Sequence, residues 1–244
     1  MLDGNLSLPR ISADNLAIML PAAENLIECY QELAQDARHL LQDFLHGERP
    51  RQWAHYPEDD VIDRSSGYQY FYHSHAPEDR ENSAEHGHFH LFARLDGEAH
   101  VVDAAAEQAF LQGIGADAAT GNTVNLLCIS LNARGVPTSL FTVNRWVTGD
   151  QFLSGPATLA LLCGFTMQID EHQLVNRWLK ALVQLFWPQI ETLMAQRDQT
   201  MLRLIAEGKA QPLFDNPMVE MLSECAIDID QQIGLINAAL EAQQ

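Results

Sequence analysis

Along the first fifth of the chain the apolar residues Leu26, Ile27, Tyr30, Leu33, Ala37, Leu40, Leu41 and Phe44 recur at steps of three and four. That spacing predicts an amphipathic helix over about 22 to 46, with Pro21 just ahead of its start and Gly47 just past its end. The following GERPRQWAHYPEDDVIDRSSG is rich in turn formers, shows neither periodicity, and reads as a long loop of the kind that carries function. Period two takes over at 68–75 and again at 86–95, where aromatic, histidine and aliphatic residues alternate; these are two strands joined by the spacer APEDRENSAE. Asp103 is placed to cap a short helix through AAAEQAFLQ that stops at Gly113. VNLLCISL and TSLFTVNRWVT, on either side of NARGVP, predict a second hairpin of about 124 to 131 and 138 to 148. From Asp170 onward helical spacing returns in LVNRWLKALVQLF, with Pro188 as a restart, Gly208 as an end, and Asn216 and Pro217 opening a last helix to about 241.

These elements sum to an α+β fold: an antiparallel sheet of at least four strands in two hairpins, flanked by N-terminal and C-terminal helices. Residues 1–244 are read as one domain, made of an N-terminal helical segment (1–47), a histidine-rich sheet region (48–150) and C-terminal helices (151–244). Hydrophobic residues make up 47% of the chain, enough for a substantial core.

The charge balance narrows the partners. With 33 acidic against 14 basic residues and no basic block, the chain offers no surface for tracking phosphates, so no nucleic-acid partner is expected. The longest greasy run, ATLALLCGFTMQI, is too short to span a bilayer, and the N-terminus lacks a signal pattern, so no membrane partner is expected either. Cys29, Cys128, Cys163 and Cys225 are dispersed, with no C-x-x-C spacing, and read as thiols of a reducing compartment; the expected location is cytoplasmic. The expected partner is a small-molecule ligand of unknown identity.

One stretch stands apart. HSHAPEDRENSAEHGHFH holds His73, His75, His86, His88 and His90, spaced two apart within each group. Side chains two apart on a strand share a face. If the strands pair with His75 opposite His86, then His73 faces His88 and Phe71 faces His90. Tyr68, Tyr70 and Tyr72 then meet Phe89 and Leu91 on the other side, with Ser74 opposite Gly87. Imidazoles so paired can converge on one ion through bonds of ~2.1 Å, and Glu85, Glu78, Asp79, His55, Asp59, Asp60 and Asp63 are near enough in sequence to complete a shell or to hold an imidazole by its second nitrogen. The ligand set expected is His73, His75, His86, His88, His90 and Glu85, or a subset of it. Nitrogen and oxygen donors suit a divalent transition metal, Fe, Zn, Mn, Ni or Cu, without choosing among them. A mononuclear non-haem metalloenzyme is the first function expected, and a non-catalytic metal-binding or sensing protein is another. His88 is the candidate catalytic residue, together with Arg94, which extends the histidine strand on the same parity and suits a carboxylate or phosphate. Arg145 and Trp146, at the end of the second hairpin, are weaker candidates of the same kind.

HGHFHLF at 86–92 resembles the signature of the histidine triad nucleotide-binding proteins. The resemblance implies a nucleotidyl hydrolase or transferase with His88 as nucleophile and His86 and His90 orienting it and the phosphate. The pairing of H-x-H with a later acid and histidine also resembles the metal motif of the cupins, with Asp79 where that family has glutamate. WAHYP, EHGHFHLF and NRWVTG together resemble a bacterial family known only as a domain of unknown function, from about residue 50 to the end of the chain, and this resemblance implies no activity.

Overall fold

The computed structural model describes residues 11–45, 51, 54–74, 85–116, 121–207, 214 and 216–242. Its elements run α1 (Ala13–Gln35), α2 (Gln42–Leu45), β1 (Tyr56–Asp63), β2 (Tyr68–Ser74), β3 (Glu85–Arg94), α3 (Ala104–Gly113), β4 (Thr123–Asn132) and β5 (Pro137–Val143). The chain continues through α4 (Arg145–Thr148), α5 (Gly155–Cys163), α6 (Gln173–Leu185), α7 (Trp187–Ala206), β6 (Met221–Ala226) and α8 (Ile229–Glu241). All six strands form one antiparallel sheet in sequence order. The α+β class and the flanking helices thus match the sequence, and the two expected hairpins are its central four strands.

The differences lie at the sheet edges and in the first helix. β1 falls within the stretch read as loop: as an edge strand it buries only Val61 and Asp63, so its sequence carries almost no apolar alternation. β6 occupies residues assigned to the last helix, which instead begins at Ile229 behind its cap Asp228. α1 starts near residue 12, where the Ser12 hydroxyl accepts from Asn15 N–H, so Pro21 lies inside the helix rather than at its start. β5 stops at Val143, because Asn144 caps a single helical turn that Gly149 closes with φ of 70°.

One face of the sheet is the core. Tyr68, Tyr70, Tyr72, Phe89, Leu91 and Ile129 pack there against Leu26 and Cys29 of α1 and Val175, Trp178 and Leu182 of α6. Each large side chain so buried contributes about 1.5–3 kcal/mol. Buried phenols need partners: Tyr70 Oη donates to Asn176 Oδ1 at 2.7 Å, and Tyr68 Oη to the Leu161 carbonyl at 2.7 Å. These two bonds fix which way the helices lie on the sheet. The opposite face carries Phe71, His73, His88, His90, Phe92, Cys128 and Phe141, and α4 approaches it with Val147.

Candidate metal centre

The β2–β3 register is the one the alternation requires: His73 opposite His88, Phe71 opposite His90, Tyr72 opposite Phe89, Ser74 opposite Gly87. His73, His88 and His90 therefore project from one face, and each offers a ring nitrogen within 4.8 Å of the other two. Nε2 of His88 lies 2.9 Å from Nε2 of His90. Two bonds of ~2.1 Å meeting at about 90–110° separate their nitrogens by roughly 3.0–3.4 Å, so this pair already has the spacing of two ligands to one ion. The His73 ring centroid is 4.3 Å from that of His88 and 5.1 Å from that of His90.

Support for the rings comes from behind. Glu85 Oε1 lies 2.5 Å from Nδ1 of His88, and both side chains are almost fully buried. A neutral His88 that donates its Nδ1–H to that carboxylate presents an unprotonated Nε2 to the cluster. Cys128 Sγ and Asn125 Nδ2 stand 3.2 and 3.3 Å from Nδ1 of His90. Phe141 meets the His88 ring edge to face at 4.9 Å, and Phe71 lies 4.8 Å from the His90 ring. His88 and His90 are thus buried against aromatic rings, and His73 is the most accessible of the three.

His86 goes elsewhere. Between Glu85 and Gly87 the β3–β4 register shifts, with Glu85 opposite Asn132 and Gly87 opposite Leu131, so two steps on β3 match one on β4. Such a bulge reverses the side chains beyond it. Glu85 consequently turns to the histidine face, while Nδ1 of His86 takes the Tyr72 hydroxyl on the tyrosine side at 2.6 Å. Burial and then the charge of His39 hold the His86 imidazole below its ordinary pKa; burial and then the Glu85 charge push the Tyr72 phenol up. Both groups are thereby held neutral, the state in which the Tyr72 hydroxyl can donate to an unprotonated Nδ1 of His86. Sequence alternation had placed His86 with His88 and His90, and Glu85 among the metal ligands. The geometry instead puts Glu85 on Nδ1 of His88, the other place the sequence left open for it, and His86 on the far side of the sheet. The H-x-H-x-H row of a histidine triad is therefore not assembled on one face.

Arg94 does not reach the cluster either. It donates to Gln69 Oε1 at 2.9 Å and pairs with Asp96 at 2.6 Å. Gln69 in turn donates to Asp60 Oδ2 at 2.9 Å, and Asp60 Oδ1 lies 3.0 Å from Nδ1 of His55. Arg145 sits over the Phe214 ring, 4.3 Å from its centroid. Asp63 closes the β1–β2 turn through Ser65 and Ser66, and Asp59 is exposed. His75, Glu78 and Asp79 lie outside the described residues.

In front of the cluster is a cavity of about 500 Å³. His73 and His90 border it, with Phe71, Phe92 and Trp146 as aromatic walls and Asp60, Asp150 and Glu220 as acidic ones. Of these, sequence reasoning had not singled out Phe92, Asp150 and Glu220. His55 stacks on Phe71 at 3.7 Å between centroids, nearly parallel, and Asp60 beside it holds a left-handed backbone with φ of 56°. Trp146 is held by its indole N–H on the Val219 carbonyl at 2.9 Å, and Asp150 accepts the Thr123 hydroxyl. A backbone bond from Gln151 to Thr123 aligns this loop with the start of β4, a pairing between segments far apart in sequence.

Residues 20–227 match the model of the family described as a domain of unknown function, DUF6969, and the chain belongs to that family. No curated protein and no solved structure matches it.

Proposed function

We propose that this DUF6969 domain holds one divalent transition-metal ion through His73, His88 and His90 and uses it as the centre of a small-molecule metalloenzyme. The observation that carries the reading is the buried Glu85 carboxylate on Nδ1 of His88, whose Nε2 lies 2.9 Å from that of His90. A histidine oriented by a carboxylate through its second nitrogen is the arrangement that fixes the tautomer a metal needs. Two other uses of buried histidines fit less well. A packing role would not bring three imidazole nitrogens together inside an apolar wall, where a protonated pair would repel. A closed structural site takes four protein ligands, whereas three histidines leave a position for water or substrate.

His73 and His90 border the cavity, which supports an open position on that side. An ion there supplies Lewis-acid chemistry, or redox chemistry if it is iron or copper. This chain's residues supply the rest. Glu85 keeps the His88 tautomer, Cys128 and Asn125 steady His90, and Phe71 and Phe141 exclude water from the ligand nitrogens.

Titration of metal-free protein with Co(II), followed by visible absorption, tests the proposal. Intense bands between 500 and 650 nm, in roughly that range for nitrogen-rich four- or five-coordinate cobalt, that change on adding azide are the expected result. They must be absent in His88→Ala. Spectra of hexaaqua cobalt throughout the titration would contradict a histidine site, and bands indifferent to azide would contradict an open position.

A further inference from the structure

The cavity in front of the histidines has walls whose chemistry selects a ligand. Three of its lining side chains are carboxylates, Asp60, Asp150 and Glu220, and no lysine or arginine is among its described lining residues. The nearest arginine in the hydrogen-bond chain, Arg94, stands behind Gln69 and is paired with Asp96. Asp150 is 9% exposed and is bound by the neutral hydroxyl of Thr123. Burial, with the charge of Asp60 adding to it, pushes the Asp150 carboxyl up despite the threonine hydrogen bonds. A desolvated carboxylate that shares a cavity with a second one is costly until a cation joins them. Asp60 already accepts from His55 and Gln69, yet a carboxylate has about four acceptor directions, so both of its oxygens can take a further N–H. Among the other lining residues Phe71, Phe92 and Trp146 offer aromatic surface, which suits an apolar body and a positive nitrogen.

Deepening the metal-centre reading and resting on it for the term "substrate", we propose that this cavity receives a small organic cation, a primary amine or amidine on an aromatic or aliphatic body. Its nitrogen lies between Asp150 and Asp60, and its body lies against Trp146 and Phe92, next to the histidine cluster. In metal-free protein, anionic ligands, nucleotides and sugar phosphates included, are disfavoured by the same walls. The volume of about 500 Å³ is that of a small-molecule site.

Calorimetric titration of the full chain with four probes of one shape tests this: benzylamine, benzyl alcohol, benzoate and phenyl phosphate, each with metal-free and with zinc-loaded protein. Benzylamine is expected to bind metal-free protein at least about tenfold more tightly than benzyl alcohol, and the two anions not to bind it. Asp150→Asn should remove that advantage and leave benzyl alcohol unaffected. Should that variant fail to fold, Asp60→Asn serves instead, since asparagine tolerates the left-handed backbone at this position. Benzoate or phenyl phosphate binding metal-free protein as tightly as benzylamine would overturn the proposal. So would equal affinity for benzylamine and benzyl alcohol, or no binding of any probe. Because Asp150 and Asp60 are not among the three proposed ligands, a protein that takes no zinc yet prefers benzylamine refutes the metal centre and leaves the ligand class standing.

Discussion

Glu85 reaches across a bulge to Nδ1 of His88 at 2.5 Å, and so the imidazole whose Nε2 faces that of His90 is oriented by a buried carboxylate. Removing that carboxylate leaves every proposed ligand in place. Glu85→Ala is therefore expected to weaken metal binding by about 10- to 100-fold, with stoichiometry unchanged. Competition against a chromophoric chelator measures it. An affinity equal to that of the unaltered protein would mean that the contact does not act on the metal.

The bulge makes a second separation. His88→Ala should lose bound metal and the thermal stabilisation it confers together, because binding to the native state alone adds to stability by mass action. His86→Ala should keep its metal and lose only the partner of the Tyr72 hydroxyl, a cost of about 1–3 kcal/mol. His55→Ala and His100→Ala, whose rings pair with Asp60 and the Gly67 carbonyl, should also keep it. Metal analysis with differential scanning calorimetry on the four variants checks the set.

How much of this the sequence carried follows from where the constraints sit. The register of β2 on β3 was legible because alternation puts tyrosines on one side and histidines on the other, and a slip by one residue would bury the wrong set. His86 was not legible, since its reversal is imposed by pairing with β4, whose register no local pattern of β3 encodes. β1 carries too few buried residues to alternate, and Glu85, readable either as a ligand or as the holder of an imidazole's second nitrogen, is assigned the second place only once the bulge is known. Of the cavity, His73 and His90 were named as ligands, His55 and Asp60 as near in sequence, and Trp146 as a weaker candidate; Asp150 reaches it through a contact with Thr123 that no short-range spacing announces.

Gly87 is where the histidine hairpin is tightest. A Cβ there would collide with the His73 carbonyl oxygen and the Tyr72 hydroxyl. Gly87→Ala is expected to destabilise the fold by about 1–3 kcal/mol and to lower metal affinity by displacing His73. Urea unfolding of the metal-free variant, followed by metal titration, separates the two effects. A variant of unchanged stability would show that the strand gives way without cost.

Asp63 sets an acid limit on the fold. Burial alone would raise its pKa, but the Ser65 and Ser66 hydroxyls and N–H groups and the Gln168 N–H hold the carboxyl well below the usual carboxylate range. A depressed folded-state pKa contributes stability that is fully present above the unfolded value of about 3.9 and is lost as pH falls toward the folded one. Asp63→Ala should therefore cost on the order of 3 kcal/mol at neutral pH, with the gap to the unaltered protein narrowing below about pH 4. Urea midpoints from pH 7 to pH 3 check the sign: a gap that widened toward acid would contradict it.

Elemental analysis of protein prepared without a histidine tag tests the central claim most directly. The account predicts close to one transition-metal ion per chain, either as isolated or after reconstitution with Fe(II), Mn, Zn, Ni or Cu, and none in a protein lacking His73, His88 and His90. A chain that takes up no ion under any of these conditions, or takes up the same amount without the three histidines, would contradict it.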